Sequence, residues 1–406
     1  MASALTHRDF RIVWIAALGS TIGTWMQKFA QSWLVSDLTN SSAFYLSLDD
    51  FLSQLPIVLF MLIGGVMADR HDRRRLLAGS QYVQAIAAFV LAVLVYYDRV
   101  EVWHILMLSF IAGLGQAFGG PAYQSLLPSL VPRRDLPNAI ALNSTQFNLS
   151  RLLGPMGGSV IVLWLGTAAC FLLNSASFFI VVLALTMIRP PTPPATQVRK
   201  DILTELKGGL SHVRHNRLML TLTILVFVST FLSMPISTFL PIFAREVLTF
   251  EDPAAAIVKL SFLMAAQALG AIVGALLIGS LGRFAHMGRV MLGIQFTLGV
   301  LIVSFAMSST PWLSYVLIFA AGIASMSLFS ISFSIVQLAV PEELRGRVVS
   351  IYMVSLRGGW PLGSLVAGTL ATMFPAPHVV ALNGLMLSLF TVGVLISGRA
   401  KSLREL

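Results

Sequence analysis

Residues 64–75 read GGVMADRHDRRR and sit between two long apolar runs. Nothing else in the chain limits its fold so strongly. Two glycines close one run, an Asp-Arg pair follows, and clustered arginines hold the backbone in an aqueous layer there. Each flanking run is about 20 residues long, enough to cross the hydrocarbon of a bilayer as a helix. Composition agrees: 56% of residues are hydrophobic and 11% are charged, where a soluble domain carries about 25% charge. Lipid is the solvent that suits such a chain.

The pattern recurs along the sequence. Apolar runs at 12–35, 44–68, 76–97, 103–125, 139–163, 168–188, 218–243, 257–281, 290–308, 312–337, 348–373 and 378–398 make twelve expected spans. The fifth and sixth are joined only by Gly166-Thr167. Numbering the loops alternately places 21 of the 27 lysines and arginines on one side and three, Arg99, Arg245 and Lys259, on the other. The remaining three, Lys28, Arg151 and Arg357, lie within spans. Short basic loops stay cytoplasmic, so both termini are expected in the cytoplasm of a bacterial cell, with the spans in its inner membrane. The net charge of +10 comes from these loop clusters, not from a basic helix face that would track nucleic acid. One cysteine, Cys170, excludes an intrachain disulfide and a thiolate metal site. The start, MASALTHRDFR, is polar and does not read as a cleavable signal.

The longest polar stretch, 189–217, separates the chain into 1–188 and 218–406. Its prolines stop the sixth span, and residues 201–212 are expected to form a surface helix with Ile202, Leu206 and Leu210 on one face. The two flanking parts echo each other. Arg151, Pro155 and Gly157 have the spacing R-x3-P-x-G, and Arg357, Pro361 and Gly363 repeat it. Each set follows a Val-Pro-charged loop, VPRRDL at Val131 and VPEELR at Val340. GSLGRFAHMGR at 279–289 is a degenerate copy of the 64–75 loop that lacks the aspartate. Three matches in corresponding places favour a duplicated six-helix unit. The expected fold is an all-α polytopic membrane protein, with twelve transmembrane helices in two pseudo-symmetric six-helix bundles enclosing a midplane cavity.

With these features the chain resembles the major facilitator superfamily over nearly its whole length. Residues 64–75 are similar to that superfamily's cytoplasmic gating motif, and Gly154-Pro155-Met156-Gly157-Gly158 to its fifth-helix antiporter motif. WMQKFAQSWLVSDLT, GLGQAFGGPAYQSLLPSLVP and NSTQFNLSRLLGPMGG resemble the bacterial exporters of enterobactin and macrolides. The resemblance implies a secondary active exporter of an amphiphilic organic molecule that works by alternating access, coupled to protons. It also implies that Asp69 and Arg70, with Gly65 beside them, latch the cytoplasmic side. Lys28, Asp49 and Asp50 depart from the group, where small or apolar residues are expected.

Each singled-out residue has a plainer alternative. Arg70 and Arg73–Arg75 also suit topology and lipid phosphate. Gly154, Pro155, Gly157 and Gly158 suit a kinked, tightly packed helix that seals against ion leak, or ordinary close packing. Lys28 is expected to pair with Asp49 or Asp50, one carboxylate taking up a proton. A static ion pair is the alternative, as is a second helix that starts late and leaves both acids among headgroups. A charge at that depth costs at least a few kcal/mol unless it has a partner or a wet cavity. Arg151 and Arg357 read as recognising an anionic group or as a structural pair. Gln27, Gln31, Gln54, Gln116, Asn143 and Asn148 read as cavity groups or as interhelical bonds worth roughly 0.6 kcal/mol each.

No GxxxxGK[ST] loop, HExxH or GxSxG occurs, so ATP-driven transport and hydrolytic chemistry have no motif. No cofactor or metal is expected. The expected partners are a small-molecule substrate, protons and the bilayer, with no nucleic acid, for a monomer. A lipid or lysolipid flippase, or an importer, is the alternative within the same fold.

Overall fold

The computed structural model describes residues 3–188, 210–211, 213–249, 252–282, 284–340 and 342–397. Among these, the long elements are all helical: α1 Arg8–Leu38, α2 Ala43–Arg70, α3 Arg73–Tyr96, α4 Val102–Leu126, α5 Leu136–Leu165, α6 Thr167–Thr186, α7 Arg217–Val247, α8 Pro253–Leu281, α9 Met287–Ala306, α10 Pro311–Ala339, α11 Glu342–Leu370 and α12 Ala376–Ile396. Each expected span falls on one of them. Nine of these helices, among the described residues, are long and apolar enough by composition alone to cross a membrane. The other three are α1, α5 and α11, with 31, 30 and 29 residues. Length does not set them apart. They carry Lys28, Arg151 and Arg357, basic residues well inside their expected spans.

Local chemistry explains the joints. Asn40 and Ser41 take the left-handed conformation in the turn that ends α1. Asp72 caps α3 by accepting from the Arg74 amide at 2.9 Å, which satisfies one of the free N–H groups of a helix start. Gly166 alone separates α5 from α6, with φ +80°, a value that a residue lacking Cβ adopts without strain. The expected unbroken run at 218–243 is interrupted: the first helical part of α7 ends at Ser233, and short turns begin at Pro235 and Leu240. Pro235 and Pro241 lack the N–H that would continue the ladder. A wide turn follows, in which Leu248 N reaches Phe243 O at 2.9 Å.

The chain forms two compact units, Met1–Thr196 with Asp252–Ala265, and Gln197–Glu251 with Ala266–Leu406. In the first, α1 packs on α5 and α6, α3 on α4 and α6, and α2 on α4. In the second, α7 packs on α11 and α12, and α9 on α10 and α12. Gly270, Gly274 and Gly322 bring α8 against α10. Adding six to each helix number of the first unit reproduces the second. The surface helix expected at 201–212 lies outside the described residues except at Leu210 and Ser211.

Absent side chains set the closest contacts. In α5, a Cβ on Gly154 would strike Trp25 and lie 2.9 Å from the Met26 nitrogen, and one on Gly158 would lie 3.0 Å from the Phe29 ring. In α11, Gly359 faces Thr230 and Phe227, and Gly363 faces the Phe231 carbonyl. Both pairs are four residues apart, so each lies on one helix face and lets two backbones approach. Gly157 and Gly65 face open space instead. The packing glycines therefore repeat one residue out of step with the R-x3-P-x-G spacing.

Candidate functional site

Asp49 and Asp50 stand in the second turn of α2. Successive helix residues point about 100° apart, so the two acids meet different partners. Asp50, 7% exposed, faces α1 and lies 3.7 Å from Lys28 Nζ. Asp49 accepts hydrogen bonds from Gln31 Nε2 of α1 at 2.9 and 2.8 Å and from Ser109 Oγ of α4 at 2.5 Å. Gln31 Nε2 also reaches Ser109 Oγ at 2.8 Å. Among the described residues no basic nitrogen lies within ion-pair distance of Asp49. Of the two pairings open to Lys28, the geometry makes the one with Asp50.

One turn before Lys28 on α1 stands Trp25. Lys28 Nζ lies 5.6 Å from its ring centre and Arg151 Cζ, from α5, lies 5.7 Å from it. A cation this near an aromatic face gains about 0.5–2 kcal/mol from the ring quadrupole. Phe147 meets the same indole edge-on at 5.9 Å. Arg151 makes no hydrogen bond or ion pair among the described residues, so its fork of donors is unused by them. Gln27 Oε1 accepts from Asn174 Nδ2 of α6 at 2.6 Å. Asn148 bonds within its own helix, to Ser144 O at 2.9 Å. Gln54, Gln116 and Asn143 make no hydrogen bond among the described residues.

The sequence reading missed Trp25, Ser109 and Asn174. Trp25 carried a signal, because its i, i+3 spacing puts it on the face of Lys28. Ser109 and Asn174 carried none, since only the packing of α4 and α6 brings them to the polar groups.

The second unit answers with neutral groups. Gln267 Nε2 of α8 donates to Ser237 Oγ of α7 at 2.8 Å, and Thr238 and Ser364 hydroxyls lie 3.0 Å apart between α7 and α11. Arg357 is exposed and, among the described residues, makes no hydrogen bond or ion pair.

At the other end of α2, Asp69 is half-buried and Arg70 exposed. Two of the arginines that follow cap neighbouring helices. Arg73 Nη1 donates to Ser125 O at the end of α4 at 2.9 Å, and Arg74 Nη1 to Ile188 O just beyond α6 at 2.6 Å. Terminal carbonyls lack helical donors and carry the negative end of the dipole, so a guanidinium serves both needs. On the same side, His7 Nε2 bonds Asp135 Oδ2 at 2.8 Å, and the Ala4 amide donates to Asn138 at 3.0 Å. The His7 bond, with help from Ser3 and Arg134, holds the Asp135 carboxyl below the usual carboxylate range.

Known proteins share this architecture. A bacterial homologue of the human lysosomal transporter Spinster superposes with a TM-score of 0.71 at 16% identity, over 98% of this chain and 91% of that one. A POT family transporter superposes with 0.73 at 12% identity, over 98% and 96%. Three curated relatives align along nearly full length. Macrolide efflux protein A of Streptococcus pyogenes is 23% identical over 93% of both chains. The multidrug efflux pump Tap of Mycolicibacterium fortuitum is 27% identical over 89% of this chain and 88% of its own. The enterobactin exporter EntS of Escherichia coli O81 is 26% identical over 96% and 91%. A family model described as transmembrane secretion effector matches residues 2–404. The chain is a multi-pass membrane protein that belongs to the transmembrane secretion effector family, efflux transporters of the major facilitator superfamily.

Proposed function

We propose that this protein exports an amphiphilic organic molecule of the macrolide, drug or siderophore kind from the cytoplasm across the bacterial inner membrane, in exchange for protons, as a monomer with both termini in the cytoplasm. The observation that carries the reading is the polar site of the first unit. Lys28, Asp49 and Asp50 lie inside long helices, and α2 at least is apolar enough to span a membrane. Charges there are kept only where they act or are paired. Two acids side by side with different partners supply a group that can gain and lose a proton. Gln27, Gln31, Gln54 and Asn148 supply uncharged donors and acceptors suited to a large polar molecule, and Arg151 and Arg357 supply donors for an anionic or carbonyl group on it. Gly154 and Gly158 keep α5 slim where it meets α1, and Pro155 between them loosens its hydrogen-bond ladder. Asp69 and Arg70, next to Gly65, close the cytoplasmic side when the protein opens outward. The relatives are named for macrolides, several drugs and enterobactin, which supports the substrate class.

The test is efflux from cells lacking their own exporters. Cells making this protein should hold less erythromycin or enterobactin than cells without it, and an uncoupler should abolish the difference. Efflux that ignores the uncoupler overturns proton exchange and favours a lipid-type flippase. Unchanged retention of both probes overturns the substrate class.

A further inference from the structure

We infer that Asp49 alone is the proton-carrying group of the first unit, that Asp50 is its fixed, ion-paired neighbour, and that Ser109 and Gln31 are positioning residues that sense the proton. The inference rests on the proposed proton exchange and sharpens it by dividing two adjacent acids.

The division follows from the partners. Asp50 already has an ammonium beside it, Lys28 Nζ at 3.7 Å, and a proton placed on Asp50 would break that ion pair. Asp49 has no cation at ion-pair distance. Its donors, Gln31 and Ser109, carry no charge, so a proton taken up there breaks no ion pair. Its protonated form loses little, because an acid O–H finds acceptors in the same place. Serine hydroxyls and glutamine amides each donate and accept. With Asp49 charged, Gln31 Nε2 and the Ser109 hydroxyl donate to it, as observed. With Asp49 protonated, its O–H donates to Ser109 Oγ or to Gln31 Oε1 after the amide turns over. The proton comes from water on the outer side and returns to water on the cytoplasmic side, and no other bond changes.

The charged groups around Asp49 are few. Lys28 faces it from α1 and Asp50 from α2. Near the start of α4 stand Glu101, which accepts from Trp103 Nε1 at 2.7 Å, and His104, bonded to the Glu101 amide at 3.0 Å. On α3 the charged residues, Arg73–Arg75, stand at the opposite end of the helix pair. Because Gln31 is on α1 and Ser109 on α4, a change at Asp49 on α2 is felt by three helices at once. That is what a coupling group needs: its protonation must alter packing between elements, not only local charge.

The experiment uses the full-length protein in lipid. Infrared difference spectra between about pH 8 and about pH 5 report the C=O band of any carboxyl that gains a proton. A protonated-acid band in the wild type should vanish in Asp49→Asn. It should persist in Lys28→Gln/Asp50→Asn, which removes the ion pair without leaving either charge alone. In Ser109→Ala it should remain but shift in frequency. Persistence of the band in Asp49→Asn, or its loss in the double variant, overturns the assignment. In liposomes, the ratio of erythromycin efflux with and without a pH gradient should fall to about one in Asp49→Asn, whatever rate remains. If wild-type efflux ignores the gradient while the band still follows Asp49, proton exchange fails and the protonation site stands.

Discussion

The helix series α1–α6 and α7–α12 share a packing order and differ in chemistry. In both, the first helix packs on the fifth and sixth, the second on the fourth, and the third on the fourth and sixth. In both, a pair of glycines four residues apart lets the fifth helix touch the first: Gly154 and Gly158 in one, Gly359 and Gly363 in the other. Apart from Arg151 and Arg357, the bonded polar groups do not repeat. Counted from Arg8 and from Arg217, Lys28 and Ser237 stand at the same place along their helices. One makes an ion pair with a buried acid and the other a hydrogen bond with Gln267. A duplicated scaffold is retained because small-residue contacts build it without charge. Charge inside a membrane is expensive, and at the place of Lys28 the second series carries a neutral hydroxyl instead.

The shared scaffold is broken most severely by bulk. Gly154→Val and Gly363→Val each force a side chain into a neighbouring helix. Overpacking of a tight core costs about 1–3 kcal/mol and sometimes more, and both contacts belong at the upper end, about 3 kcal/mol. Thermal unfolding in detergent should show both variants losing most of the folded, monodisperse protein. Gly157→Val points into open space and should change stability by less than about 0.5 kcal/mol. If only one of the first two variants is damaged, the units do not share their packing.

The chemical difference is sharpened by unpairing Lys28. Lys28→Ala leaves Asp50 buried beside no ammonium. Breaking a fully buried pair costs about 3–5 kcal/mol. Lys28 is 39% exposed along its side chain, which reduces the expected loss to about 2 kcal/mol. Adding Asp50→Leu should recover most of it. The corresponding Ser237→Ala in the second unit removes one neutral interhelical bond and should cost about 0.6 kcal/mol. Equal losses at the two positions would erase the distinction between the units.

The smallest effect concerns the tie between His7, at the start of α1, and Asp135. A carboxyl held below its ordinary range contributes stability that is present above the unfolded-state pKa and lost as pH falls through the folded one. Between neutral and mildly acidic pH this carboxylate should leave the melting temperature unchanged. Below the ordinary carboxylate range the wild type should lose stability that Asp135→Asn does not lose. A melting profile of Asp135→Asn parallel to that of the wild type down to low pH would remove the tie from the account.

Most of the architecture was legible in the chain. Twelve apolar runs and their basic loops reported spans and repeat, because a bilayer imposes length and hydrophobicity directly on sequence. Lys28, Asp49, Asp50 and Arg151 stood out for the same reason: a charge in an apolar run is visible without a structure. The breaks in α7 were legible too, in Pro235 and Pro241, yet they were passed over inside a run that hydropathy reads as continuous. The chain could not say which acid Lys28 meets, since adjacent helix residues differ only in direction. It gave no sign of Ser109 or Asn174, two ordinary polar residues among many. Trp25 as a meeting point of two cations required α5 to lie against α1, and that contact exists because Gly154 lacks a side chain. Sequence by itself determined what crosses the membrane and where charge is buried, since transfer free energy depends on residue type. Tertiary structure decided which buried groups touch, since that depends on the rotation and closeness of helices that hydrophobicity alone leaves undetermined.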